Sequence, residues 1–215
     1  MVINKRDLIA LIQKTDSFSC PKVELEQYCI DATSAVDIAY FAGFEFHDIE
    51  NRILFDLGAG TGRISIASAF FRPKIVISID IDPLALFLLK KNIRNLEVNS
   101  LIHPLCTDIS FIDFSRWKIL KHSKVTTIMN PPFGVQKAKA DRNFLDLAFQ
   151  ISDIIYSIHL TNKKVHNFIK SYSSQYNWKV DYSLPFNMIL ERSFSFHTKK
   201  RKQIDTTIYR FIKSN

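Results

Sequence analysis

The sequence has few cysteines and no long apolar run, and both features narrow what the protein can be. It has three cysteines in 215 residues, at positions 20, 29 and 106, and their spacing matches no metal-binding motif, so no metal site is expected. No stretch of 18 apolar residues is present, which argues against a transmembrane helix. Residues 1–14 mix polar and charged side chains with apolar ones, unlike a secretory signal. These features predict a protein of a reducing, cytoplasmic compartment.

Glycine is also scarce, and its placement is informative. Three of the five glycines, Gly58, Gly60 and Gly62, fall within five residues, and a fourth, Gly134, directly follows residues 130–133. Glycine is needed where the backbone takes positive φ or approaches a ligand closely. This distribution predicts two ligand-facing loops.

The length and the order of apolar segments predict one α/β domain spanning residues 1–215. Strand-like and helix-like segments alternate, which is typical of a Rossmann-like, mostly parallel seven-stranded sheet with helices on both faces. The last two strands have no helix between them and predict an antiparallel C-terminal pair at the sheet edge. Residues 1–50 are predicted to be a helical segment. The predicted strands are 52–56, 74–80, 101–106, 124–129, 154–159, 178–185 and 204–212, and the predicted helices are 5–14, 33–43, 63–71, 83–95, 141–152 and 163–176.

The first glycine loop has the features of a nucleoside site. Residues 55–62 read Phe-Asp-Leu-Gly-Ala-Gly-Thr-Gly between a predicted strand and a predicted helix. The G-x-G-x-G spacing differs from the G-x-G-x-x-G of a dinucleotide pyrophosphate site. Asp56 would repel a pyrophosphate but attract the cationic amino-acid end of S-adenosylmethionine. The loop therefore predicts a site for that cofactor.

Two further carboxylates follow predicted strands. Asp80 is placed to bind the ribose hydroxyls of the cofactor, and Asp108 to accept a hydrogen bond from its adenine amino group. Each aspartate taken singly could equally be a strand-end or helix-capping residue. Their order along the chain, together with the glycines, favours the cofactor interpretation.

The second motif, Asn130-Pro131-Pro132-Phe133, follows the fourth predicted strand. Two prolines make a rigid turn with few backbone donors. The Asn130 side-chain oxygen and the Pro131 carbonyl are both acceptors, and they match the two hydrogens of an exocyclic NH₂ group. Phe133 offers a face on which a base can stack. The motif predicts amino-group methylation of a base presented outside a duplex.

The chain resembles the methyltransferase-like protein 5 family. The resemblance rests on Leu-Glu-Gln-Tyr at 25–28, Asp-Leu-Gly-Ala-Gly-Thr-Gly at 56–62, Asp-Ile-Asp at 80–82, Met-Asn-Pro-Pro-Phe-Gly at 129–134, Tyr-Ser-Ile-His at 156–159 and Phe-His-Thr-Lys-Lys at 196–200. It implies a class I fold, S-adenosylmethionine as cofactor, and N6-methylation of an adenosine in small-subunit ribosomal RNA. It also implies cofactor contacts, which would come from Gln27, Gly58, Thr61, Arg63, Asp80 and Asp108.

One segment departs from that family. The family continues Leu-Glu-Gln-Tyr with Pro-Thr, and that threonine helps to close the cofactor site, whereas this chain has Cys29 and Ile30. Thr33 or Ser34 could substitute for the missing hydroxyl. The resemblance further implies that residues 1–50 help to close the cofactor site, and that a small zinc-binding activator protein is a partner.

A basic segment follows an aromatic residue and a histidine near the C-terminus. The formal net charge is +8, which makes a polyanion the first partner to test. The segment is predicted to contact RNA phosphates, although a solvated hairpin tip is the alternative. The predicted RNA-contacting residues are Phe196, His197, Lys199, Lys200, Arg201 and Lys202.

Three other functions compete with an RNA adenine methyltransferase. A protein glutamine-N5 methyltransferase also presents an NH₂ group to an Asn-Pro-Pro turn, although such enzymes more often have tyrosine at the fourth position. A DNA adenine methyltransferase would be expected to carry an added target-recognition domain. A non-catalytic RNA-binding relative is the third alternative, which the intact turn disfavours.

Overall fold

A single seven-stranded sheet organises the computed structural model, which describes residues 3–114, 117, 122–136, 139–191 and 201–214. The strands are β1 (Ile53–Leu57), β2 (Ile75–Asp80), β3 (Ile102–Cys106), β4 (Val125–Met129), β5 (Ile154–Leu160), β6 (Trp178–Glu191) and β7 (Arg201–Lys213). The α-helices of the described residues are α1 (Lys5–Ile12), α2 (Ala32–Tyr40), α3 (Arg63–Ala69), α4 (Pro83–Asn95), α5 (Ala140–Ile151) and α6 (Lys163–Gln175).

The strand order explains where a ligand site must lie. The order across the sheet is β3-β2-β1-β4-β5-β7-β6, and the first five strands are parallel. β7 runs antiparallel to both β5 and β6. Helices cover both faces of the central strands, so every residue of β1 and β4 is buried. The chain reverses its direction of travel across the sheet between β1 and β4, and in such folds ligands bind outside the carboxyl ends of the strands.

The predicted fold class is confirmed, and the main difference lies in the C-terminal pair. The prediction ended the sixth strand at Pro185, whereas β6 continues to Glu191. β6 is the outermost strand of the sheet, and an edge strand can contain a proline because it needs no donor on its open side. β7 is correspondingly longer than predicted and lies inside the sheet.

The N-terminal segment is packed firmly against the sheet. Helices α1 and α2 contribute fully buried side chains to the core, among them Leu8 and Ile38. After α2 the chain makes a π-helical turn, Phe41–Glu45, and reaches Asp48. The buried carboxylate of Asp48 accepts hydrogen bonds from the Tyr156 hydroxyl (2.5 Å) and from Arg210 Nε (2.8 Å). This bond pair joins the segment to β5 and β7, and because the groups are buried each bond is stronger than it would be in water.

Within the described residues, no helix has the length and apolar character that crossing a membrane would require.

Asp56 lies in the interior beneath the first glycine loop. Its side chain is 1% exposed, and its Oδ2 accepts a hydrogen bond from Ser65 Oγ at 2.5 Å. The Ser65 hydroxyl is also 2.7 Å from that of Ser78 on β2. Burial raises the pKa of Asp56 to about 7, and its hydrogen bonds to Ser65 offset only part of this shift. Folding therefore favours the protonated carboxyl.

This raised pKa predicts a pH-dependent stability. An aspartate whose pKa is higher in the folded state contributes stability below its unfolded pKa near 4, and that contribution is lost as pH rises through about 7. Asp56→Asn has no charge at this position and is free of this loss. The free energy of unfolding of the variant, relative to that of the wild type, should therefore rise by about 2–3 kcal/mol between pH 5 and pH 8. Thermal unfolding of both proteins at the two pH values measures this difference. The exposed carboxylate variant Asp205→Asn is the control. An equal offset at both pH values would contradict the assignment.

Candidate methyl-transfer site

A cavity of about 380 Å³ opens at the carboxyl ends of β1, β2, β3 and β4. Its walls come from the glycine loop after β1, the ends of β2 and β3, the turn after β4 and the start of α5. A further wall comes from residues 22–30, here called the N-terminal strap, which cross the cavity from outside the sheet. The strap contains a short 3₁₀ turn, Val23–Leu25, followed by Glu26 in a left-handed conformation (φ 49°). The described residues thus surround the cavity with backbone, carboxylates and aromatic rings.

The glycine loop can exist only with glycine at its last position. Gly62 has φ 88° and directly precedes α3. A Cβ atom at Gly62 would lie 2.7 Å from Leu89 Cγ on α4, closer than real carbon atoms approach. The loop therefore packs tightly on α4 while its earlier residues, Gly58 and Gly60, line the cavity.

Asp80 both shapes the loop and lines the cavity. Its Oδ2 accepts a hydrogen bond from the Gly60 backbone N–H (2.8 Å), and its Oδ1 accepts one from the Asp82 N–H (2.9 Å). Burial raises the pKa of Asp80, and these backbone bonds oppose that shift. Asp108 similarly accepts a hydrogen bond from the Ser110 N–H (2.8 Å) while lining the cavity. The capping and cavity-lining roles weighed for these aspartates therefore coexist.

Seven of the eight predicted cofactor residues line this cavity, and the exception is Asp56. Its position beneath the loop removes it from the cavity wall, so the direct contact with a cationic ligand that the sequence suggested has no support from this geometry. The physical reason is that every position of β1 is buried, so a side chain at its end can be covered by α3. The seven lining residues are Gln27, Gly58, Gly60, Thr61, Arg63, Asp80 and Asp108.

Two of the seven, Gln27 and Arg63, also hold the strap in place. Gln27 Nε2 donates to Asp82 Oδ2 (2.7 Å), and its Oε1 accepts from the Lys22 N–H (2.8 Å). Arg63 Nη1 donates to the Ile30 carbonyl (2.8 Å) at the far end of the strap. Their polar atoms are thus engaged within the protein, which makes them positioning residues for the cavity wall.

The family departure at Cys29 and Ile30 changes the lining of the cavity. Both residues lie in its wall, and Cys29 Sγ is 3.2 Å from Thr61 Oγ1. Neither Thr33 nor Ser34 is among the lining residues, and the Ser34 hydroxyl donates to Asp31 Oδ2 at 2.6 Å. The hydroxyl that the resemblance implied at position 30 is therefore absent from the cavity wall, where the apolar side chain of Ile30 lies.

The turn after β4 forms one rim of the cavity. Asn130 and Pro132 line it, whereas Pro131 is buried and Phe133 is half-buried beside it. Phe133 stacks against the Tyr28 ring, with centroids 5.5 Å apart and planes inclined by 23°. The Tyr28 hydroxyl donates to Asn130 Oδ1 at 3.1 Å, and burial, which raises the pKa of this phenol, keeps it protonated. The strap therefore contacts the turn through both the ring and the hydroxyl of Tyr28.

Three aromatic residues of the cavity were not predicted as site residues. Tyr28 belongs to the Leu-Glu-Gln-Tyr motif, and that motif is the sequence feature from which its place in the site could have been predicted. Phe18 and Phe144 lie close to the glycine loop, at 3.3 Å and 3.1 Å from where Cβ atoms on Gly60 and Gly58 would stand. Nothing in the local sequence distinguishes these two phenylalanines from the other sixteen.

The side chains of the predicted RNA-contacting residues fall outside the described part of the chain. Phe196, His197, Lys199 and Lys200 lie outside the described residues, and only the backbone of Arg201 and Lys202 is described. His159 is buried, with Nε2 2.8 Å from the Ser157 hydroxyl. Burial lowers the pKa of His159 to about 3, which fits a neutral structural residue.

Comparison with known proteins places this geometry in a family. Residues 46–165 match the TRM5/TYW2 methyltransferase domain. The chain is 31% identical to the rRNA N(6)-adenosine-methyltransferase METTL5 of Danio rerio, over 96% of this chain and 97% of that one. It is 35% identical to an uncharacterized protein of Methanocaldococcus jannaschii, over 99% and 95% of the two chains. A crystal structure of a candidate RNA methyltransferase from Pyrococcus horikoshii is 35% identical, covers both chains completely and superposes with a TM-score of 0.86.

The matched domain contains β1 to β5 and therefore the glycine loop, Asp80, Asp108 and the turn that begins at Asn130. The similarity to the full-length relatives extends beyond this domain, over the strap and the antiparallel C-terminal pair. The chain thus belongs to the TRM5/TYW2 family of S-adenosylmethionine-dependent methyltransferases, as a relative of METTL5.

Proposed function

We propose that this protein transfers a methyl group from S-adenosylmethionine to the N6 amino group of an adenosine in RNA, with small-subunit ribosomal RNA as the substrate. The observation that carries the proposal is the position of Asn130 Oδ1 and the Phe133 ring at the rim of the cofactor cavity. An acceptor and a stacking surface side by side suit a flat base that bears an NH₂ group.

The residues around the cavity fit the cofactor in kind. Gly58 and Gly60 expose backbone where a side chain would fill space, and their neighbours Phe144 and Phe18 supply apolar surface. Asp80 is an acceptor for ribose hydroxyls and Asp108 for an adenine amino group. Asp56 would then act by supporting the loop above it, without direct contact with the cofactor.

The turn after β4 would position the amino group that accepts the methyl group. When bound, S-adenosylmethionine provides an electrophilic methyl group on a sulfonium centre. Asn130 Oδ1 and the Pro131 carbonyl would accept the two amino hydrogens, which draws the nitrogen lone pair out of conjugation and directs it toward the cavity. The same two oxygens would stabilise the positive charge that develops on the nitrogen as it accepts the methyl group, and the nitrogen would then release one proton to solvent. Because the turn is rigid, most of the rate gain would come from positioning.

Two observations favour RNA as the substrate class. The relatives that match over nearly the whole chain include METTL5, named for rRNA adenosine methylation. The net charge of +8 suits a polyanion. A glutamine side chain would present the same NH₂ group but would leave both the charge and the stacking ring without a purpose.

A small zinc-binding activator protein is the proposed partner. Exposed apolar side chains lie on the segments that precede and follow the outer strand β3 along the chain. Leu84 and Phe87 lie on α4, which contacts β3, and are 64% and 67% exposed. Phe111, just after β3, is 85% exposed. Apolar patches of this kind mark protein interaction sites.

The proposal is tested by the distribution of transferred label. Protein incubated with tritiated S-adenosylmethionine should label small-subunit ribosomal RNA and leave DNA and protein fractions unlabelled, and nucleoside analysis should recover N6-methyladenosine. Label in protein would replace the proposal with the glutamine function. Absence of label in every fraction, even when the activator partner is supplied, would contradict an enzymatic role.

Removing the Asn130 amide should separate catalysis from cofactor binding. Asn130→Ala should lower the transfer rate by at least about a hundredfold, since it deletes one preorganised acceptor, while cofactor affinity measured by calorimetry changes little. Asn187→Ala on the exposed part of β6 is the matched control. Parallel loss of transfer and cofactor affinity in Asn130→Ala would refute the assigned role.

The basic segment should set the salt dependence of RNA binding. Replacing Lys199, Lys200, Arg201 and Lys202 with glutamine should weaken RNA binding and flatten the plot of log affinity against log salt concentration. With fewer phosphates neutralised, fewer counterions are released when the RNA binds. Filter binding over a salt series measures both quantities. A slope equal to that of the wild type would place the RNA on another surface.

A further inference from the structure

Tyr28 occupies the features that the proposed target base would use. Its ring lies against Phe133, the surface proposed for stacking, and its hydroxyl donates to Asn130 Oδ1, the acceptor proposed for the amino group. A planar ring that stacks and presents one hydrogen-bond donor has the same two properties as an adenine with its N6 amino group. The side chain thus makes, within the protein, the pair of contacts expected from the substrate.

The base cannot simply be added to this arrangement. A centroid separation of 5.5 Å is that of two rings in direct contact, and it leaves no layer for a third ring between them. Phe133 also packs against the buried core. Tyr28 lines the cavity and Phe133 does not, so a base arriving in the cavity meets Tyr28 before it can reach the Phe133 ring.

The strap around Tyr28 is anchored on both sides. Before it, Gln27 is bonded to Asp82, and the Glu26 carboxylate accepts a hydrogen bond from the Gln136 N–H at 2.8 Å. After it, the Ile30 carbonyl is held by Arg63. A movement confined to the Tyr28 side chain would leave all of these bonds intact.

We infer that Tyr28 is a placeholder for the target base, which holds Asn130 and Phe133 in their receiving geometry and yields both contacts by side-chain rotation when the base binds. This inference rests on the proposed adenine substrate. It makes Tyr28 a positioning residue whose hydroxyl competes with the substrate amino group. The site would then select among bases by whether they can replace both contacts of Tyr28. Only a base that brings both a stacking face and a hydrogen-bond donor restores what Tyr28 gives up.

The kinetic test uses Tyr28→Phe, which keeps the ring and removes only the competing hydroxyl. The KM for small-subunit ribosomal RNA should fall by about two- to tenfold, the range expected for one lost hydrogen bond, while kcat stays within about twofold. Tyr40→Phe, which loses a hydroxyl bond to the Ile3 carbonyl (2.8 Å) far from the cavity, should leave both constants unchanged. A lower kcat at unchanged KM, or no change in either constant, would overturn the inference.

A spectroscopic test separates this inference from the proposed function. Protein labelled with 3-fluorotyrosine gives a ¹⁹F signal for Tyr28 that is identified by its absence from Tyr28→Phe. Adenosine added with S-adenosylhomocysteine should shift that signal while the other six tyrosine signals stay in place. Purine riboside, whose base stacks equally but lacks the amino group and any other N–H donor, should not shift it. An unmoved Tyr28 signal in a protein that methylates RNA would refute the placeholder alone. A shifted Tyr28 signal in a protein that does not methylate RNA would refute only the proposed RNA substrate.

Discussion

The carboxylate of Asp80 joins the glycine loop to the start of α4, and the site depends on this connection. One oxygen holds the glycine loop through Gly60, and the other holds the start of α4 through the Asp82 N–H. Asp82 in turn accepts hydrogen bonds from Lys22 and Gln27 of the strap (2.9 Å and 2.7 Å). Two neighbouring aspartates therefore connect the loop, the strand end and the strap into one unit. A carboxylate withdrawn from water is costly unless it accepts hydrogen bonds. The bonds from the loop, α4 and the strap therefore stabilise the charges of the two aspartates, and the aspartates in turn hold these segments in place.

Much of this arrangement could be predicted because it depends on local patterns. Apolar runs of five or six residues ended by aspartate or asparagine mark strands whose carboxyl ends meet at one edge of the sheet, and Pro83 marks the start of α4 correctly. Contacts between distant segments could not be predicted. Tyr28 and Asn130 are 102 residues apart, and no property of either residue indicates the other. The position of Asp56 beneath the glycine loop could not be predicted for a related reason, since a strand buried on both faces has no periodicity that shows which side a given residue takes.

The same contacts explain how the strap tolerates an unusual sequence at positions 29 and 30. Its anchors are the side chains of Lys22, Gln27 and Arg63, and Arg63 binds the Ile30 backbone carbonyl, which any residue provides. The side chains of Cys29 and Ile30 therefore shape the cavity surface beside Thr61 without taking part in the attachment of the strap.

A receiving site for a base has a physical problem when no base is present. An amide oxygen without a donor costs about 1–3 kcal/mol when it is fully buried and less when, like that of Asn130, it is part-buried, and an uncovered aromatic face adds apolar surface in contact with water. Tyr28 removes both costs, because its hydroxyl pairs with Asn130 while its ring covers Phe133. Exchange with an adenine then replaces one stack and one hydrogen bond by another of each kind, so the free-energy difference between the two states is small. A site arranged in this way stays ordered without substrate, and it rejects a base that stacks but brings no donor, since Asn130 would then lose its partner.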